Sequence, residues 1–65
     1  MDEPTKRMVC EAYDETVAEA LAQGHPPDTA HKEGITAASM FLASMIGVED
    51  AAARTSVEAL GLEPT

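Results

Sequence analysis

A compact all-α fold, with three helices joined by short connections and packed around a largely uncharged second one, is what this sequence predicts. Three observations carry it. Apolar residues recur at helical spacing in three stretches. Gly24, Pro26 and Pro27, then Gly47, punctuate those stretches. Strand-forming types are scarce, with one Phe, one Tyr and no Trp among many Ala and Met residues. Sixty-five residues make one domain, spanning 1–65. Its core is small, because a chain of this length buries only about 60% of the surface it exposes when extended.

The first helix is expected over about 4–23. Asp2 or Glu3 can accept from the free N–H groups of its first turn, and Pro4 fits there because it lacks an amide hydrogen. Val9, Cys10, Ala12, Tyr13, Val17, Ala20 and Leu21 share one broad arc, while Glu11, Glu15, Ala18 and Glu19 lie opposite. That is the pattern of a helix with one buried face. Gly24 and the diproline end it.

The second helix is expected over about 28–46, opening on Asp28 as a cap for the amides of Ala30 or His31 and leaving through a left-handed Gly47. His31, Ile35, Ala38, Leu42, Met45 and Ile46 share an arc with Phe41 at its edge, and Met40 lies nearly opposite. No residue from Ile35 to Val48 is charged. Fourteen residues fall short of the roughly 20 that span a bilayer, so the stretch is expected to be a buried central helix rather than a membrane segment. Gly34 within it reads as a point of close packing, or as a weak point worth roughly 1 kcal/mol against Ala.

The third helix is expected over about 49–60. Glu49 and Asp50 sit at its positive end, and Ala52, Ala53, Ser56, Val57 and Leu60 form a shallow apolar stripe. Gly61 suits the position just past the helix, Leu62 can fold back on the last turn, and Pro64 blocks continuation.

Charge narrows the partners. Twelve acids against four basic residues give a formal charge of -8, and Lys6, Arg7, Lys32 and Arg54 are too scattered to form a stripe. No nucleic acid and no membrane surface is expected as a partner, since both are anionic and are bound through clustered Lys and Arg. Cys10 is the single cysteine, so no internal disulfide forms. The start MDEPTKR leads into a charged amphipathic segment rather than an apolar signal core, and a reducing cytoplasmic location is the expectation.

Two stretches are candidates for function. HPPDTAHKEG, from His25 to Gly34, gathers two histidines and two carboxylates. His25 precedes a rigid diproline and cannot stack with His31 as an i, i+4 pair, so the stretch matches no standard metal motif. No cofactor and no metal is expected; the alternative is a metal- or small-ligand-binding protein built on His25, Asp28 and His31. His31 points along the buried arc, where it can hydrogen-bond a backbone carbonyl or a side chain such as Tyr13. The two together are the possible ligand contact. Cys10 lies beside Glu11 and Asp14, which disfavour a thiolate, and reads as a small packing residue. No catalytic residue is assignable.

Met40, Phe41 and Met45 are the candidate protein interface, because Met and aromatic side chains adapt to partner helices and two short neighbours cannot cover an uncharged helix on all sides. The expected function is an acidic helical interaction module or accessory subunit, more readily a binder than an enzyme. It would self-associate, or dock on another protein, through the central helix. A further alternative is an acidic regulator or antitoxin-like protein that masks a basic partner.

Overall fold

α1 spans Glu3–Ala22, α2 Pro27–Ile46 and α3 Asp50–Glu58; in this computed structural model residues 1–64 are described, and among them there is no strand. α1 and α2 lie side by side over most of their length, and α3 packs on α2. The long dimension of 33 Å is close to the ~30 Å of a 20-residue helix. α2 is therefore the shared wall of the core, as expected of the uncharged segment.

Each helix end has a local cause. The Asp2 carboxylate accepts from the Thr5 N–H at 2.9 Å, and Pro4 lies in the first turn. α1 closes through Gly24 at φ 91°, which lets the His25 N–H reach back to the Ala20 carbonyl at 3.0 Å. α2 opens one residue earlier than expected. Pro27 is its first residue and Pro26 its N-cap, with no side-chain hydrogen bond there, so Asp28 lies in the first turn and does not cap. The reason is Pro27 itself, whose fixed φ and missing N–H suit the first helical position. Asp28 still places negative charge at the positive end of the helix. α2 leaves through Gly47 at φ 69°, whose N–H bonds to the Ala43 carbonyl at 2.9 Å.

The chain turns through 119° over residues 47–49 between α2 and α3. α3 is shorter than expected. Glu49 caps it only by position, and after Glu58 the chain tightens into turns, with the Leu60 N–H on the Val57 carbonyl and the Gly61 N–H on the Glu58 carbonyl.

Val9, Tyr13, Val17 and Ala20 of α1 meet Ala30, Ile35, Ala38 and Leu42 of α2, with Ala53 and Val57 of α3 on the other flank. Phe41, Leu60 and Leu62 pack at the margins of this cluster. Ala52 and Ser56, assigned to the apolar stripe from spacing alone, are exposed; the short α3 buries only one residue per turn. Ser39, on the α2 wall, donates to the Ile35 carbonyl at 2.6 Å and so carries no unsatisfied group into the core.

Candidate interaction surface

The inner seam between α1 and α2 is closed by Gly34. A Cβ at this position would lie 2.7 Å from Cδ2 of Tyr13 and 2.7 Å from Cγ2 of Val17, well inside van der Waals contact. Only the missing side chain lets the Tyr13 ring lie across α2. Resting there, the ring carries its hydroxyl to His31, one turn earlier on α2. The hydroxyl oxygen is 2.7 Å from Nδ1, and the rings meet edge to face at 75° with centroids 5.6 Å apart.

Burial pushes the Tyr13 hydroxyl above its ordinary value of 10.0, and the carboxylates of Asp14 and Glu63 act in the same direction. The phenol therefore keeps its proton at neutral pH. Tyr13 has no other hydrogen-bond partner among the described side chains, and the imidazole tautomer sets which of the hydroxyl and Nδ1 is the donor. The pair is a satisfied packing element on a nearly closed seam, with Tyr13 only 1% exposed and His31 half-buried.

The rest of the His25–Gly34 stretch does not converge. His25 and Asp28 are exposed, and among the described residues no three His, Cys, Asp or Glu side chains are placed to hold a metal ion. Cys10 is half-buried beside the core.

The outer side of α2 is open. Met40 is 61% exposed in the middle of the helix and borders two hollows. One, of about 320 Å³, is lined by Lys32, Glu33, Thr36, Ala37 and Met40. The other, of about 290 Å³, lies between α2 and α3 and is lined by Thr36, Ser39, Met40, Asp50, Ala51 and Arg54. Arg54 crosses between the helices, with Nη2 donating to Thr36 Oγ1 at 3.1 Å.

The three interface residues suggested by the sequence do not form one strip. Phe41 is half-buried against the core and forms part of the wall beneath the surface. Met45 is exposed, yet five residues beyond Met40 it points about 140° away around the helix. It belongs with Ile46 and Val48, also exposed, at the end of α2. Ile46 there lines a further hollow of about 220 Å³ with Met1 and with Leu42, which is fully buried. Sequence spacing marked Met40 as outward. It could not reveal Thr36 and Arg54, whose meeting depends on the angle between α2 and α3.

The corner between α2 and α3, a three-residue turn through 119°, has the shape of a helix-turn-helix. Its second helix carries Asp50, Arg54 and Glu58, net acidic, and offers a phosphate backbone no basic face. Among the described residues no single helix is long and apolar enough to cross a membrane. Comparison with known proteins finds no matching family model, no similar curated protein and no similar solved structure.

Proposed function

We propose that this chain is a small helical interaction module that self-associates through the outer face of α2, with Met40 at its centre. One observation carries the reading: a methionine 61% exposed at mid-helix, between two hollows, on a segment with no charge from Ile35 to Val48. An isolated apolar residue on a surface is ordinary. A flexible thioether standing between two concavities is the arrangement that a partner helix fills, and the thioether adapts to what it meets. The acidic outer face of α1, with Glu11, Asp14, Glu15 and Glu19 all exposed, keeps other sides of the molecule apart by like-charge repulsion.

Sedimentation equilibrium from micromolar to millimolar concentration tests the proposal. The mass is expected to rise above that of one 6.8 kDa chain, and Met40→Asp is expected to return it to the monomer with the helical circular dichroism unchanged. A wild-type mass of one chain throughout that range would overturn it.

A further inference from the structure

The hollows that flank Met40 carry an unusual share of the chain's charge. Lys32 and Glu33 border one, and Asp50 and Arg54 the other. These four cancel. The remaining ten acids and two basic residues, Lys6 and Arg7, therefore hold the whole net charge of -8. Half of the basic residues in an acidic protein thus lie on one face, each matched by an acid. Pairing through the outer face of α1, with Glu11, Asp14, Glu15 and Glu19 exposed, would bring negative charge against negative charge. This face meets its own copy at no such cost, which favours a second copy over an acidic or a basic partner.

Symmetry narrows the arrangement. A specific contact of ordinary size covers about 800 Å² per partner, about a fifth of the 4172 Å² surface of this chain. The exposed stripe of one 20-residue helix, ~30 Å long and ~10 Å wide, is less than half of that. α3 must therefore join the contact. A two-fold axis along α2 sets the two α3 helices on opposite flanks, out of each other's reach. A two-fold axis across α2 makes the α2 helices antiparallel and brings both α3 helices to the same flank.

The charges fit the second arrangement. Arg54 reaches back along α2 to Thr36, whereas Asp50, one turn earlier on α3, lines the same hollow as Met40. Reversing α2 about a point between Thr36 and Met40 exchanges those two positions. Lys32 then falls beside the C-terminal turn of the partner's α2, where a cation meets the negative end of the helix dipole.

We infer that two copies of this chain pair through the α2–α3 face about a two-fold axis perpendicular to α2, each Met40 entering the other copy's hollow and each Arg54 facing the other copy's Asp50. This rests on the reading that the outer face of α2 is a contact surface, and it adds the partner and the register.

Charge reversal on the full chain tests it, read by sedimentation equilibrium and native mass spectrometry at low salt. Asp50→Arg and Arg54→Asp each place like charges together twice in the symmetric dimer. Each is expected to weaken association by about tenfold or more. Mixing the two variants restores both pairs in a heterodimer, and the double variant D50R/R54D restores them in a homodimer. Both are expected to recover association close to wild type. Rescue on mixing cannot come from a chain that fails to fold, so it separates a broken contact from a damaged helix. Wild-type association that both single variants retain, or that mixing fails to restore, would overturn the two-fold register while leaving self-association through Met40 standing. A wild-type chain that stays monomeric up to millimolar concentration overturns both.

Discussion

The two long sides of α2 are built on opposite principles. On the inner side the helix gives up a side chain at Gly34 so that Tyr13 and Val17 can approach its backbone, and the contact is filled to the last methyl. On the outer side it keeps Met40 raised between two hollows, beside the Arg54–Thr36 hydrogen bond that links α3 to α2. One face of the same helix spends its residues on closure and the other leaves contacts unmade. In a domain whose total stability is of the order of 0.05–0.15 kcal/mol per residue, the closed side must supply the fold so that the open side can remain unfilled.

The comparison breaks most sharply at Gly34. Alanine is the better helix former by about 1 kcal/mol, so at an open position the substitution would stabilise α2. Here the new Cβ would sit 2.7 Å from two side chains of α1, one of them a ring locked in the core. Overpacking costs typically 1–3 kcal/mol, and contacts this short put Gly34→Ala at the upper end, about 3 kcal/mol. The gain in helix propensity reduces this to a net loss of about 2 kcal/mol. For a domain of this size that lowers the thermal midpoint by about 10 °C. It should also detach the Tyr13 hydroxyl from His31, visible as a change in the near-ultraviolet circular dichroism of the single tyrosine. A midpoint equal to or above wild type would mean that the seam is looser than its distances indicate.

How far such features are legible in the sequence depends on what range of the chain determines them. Helix ends are local, and Gly24, Gly47 and the prolines mark them to within one or two residues. The exception at Asp28 arises from competition between two local signals. Both Pro27 and Asp28 suit a helix start, and the proline, fixed in φ, takes the first position. The arcs of α1 and α2 also place Tyr13 and His31 inward, and the structure joins them at 2.7 Å. The depth of the Gly34 contact is not local, because it depends on which residue of α1 faces it. Arg54 and Thr36, eighteen residues apart, meet only once the 119° turn is set. Phe41 shows the same limit from the other side. Spacing put it at the edge of the buried arc, and only the packing of its neighbours draws it half into the core.

Tyr13→Phe sharpens the comparison by removing one hydrogen bond from the closed side while leaving its ring in place. The expected loss is about 1 kcal/mol, smaller than for Gly34→Ala because the half-buried His31 Nδ1 can recover water. Guanidinium titration followed by helical circular dichroism measures it.

The same hydroxyl gives the seam a pH dependence of known sign. Burial raises the Tyr13 value in the folded state above 10.0, so the folded chain holds this proton more tightly than the unfolded chain does. The stabilisation is fully present below the unfolded value and is lost as pH rises through the folded one. With one Tyr and no Trp, the tyrosinate absorbance reports this group alone. Its midpoint is expected above 10.0 in native protein and at the ordinary value in denaturant. Tyr13→Phe is expected to flatten the alkaline fall in stability. A native midpoint at or below the denatured one would contradict the burial of the hydroxyl.

The smallest effect on folding is expected at Met40, and there the two sides of α2 differ most. Its side chain is 61% exposed and lies on no part of the core cluster, so Met40→Asp removes little buried area. The new carboxylate is far from either helix end, where the macrodipole is felt, and surface substitutions of this type fall within about 0.5 kcal/mol. A closed-side residue cannot behave this way: whatever weakens the seam weakens the fold. Met40→Asp should therefore leave the unfolding midpoint at dilute concentration where it is, while abolishing any rise of that midpoint with protein concentration in the wild type. Such a rise is the mass-action signature of a folded state stabilised by its own association. If Met40→Asp destabilised the dilute monomer by several kcal/mol, Met40 would be part of the core, and the outer face of α2 would be closed in solution.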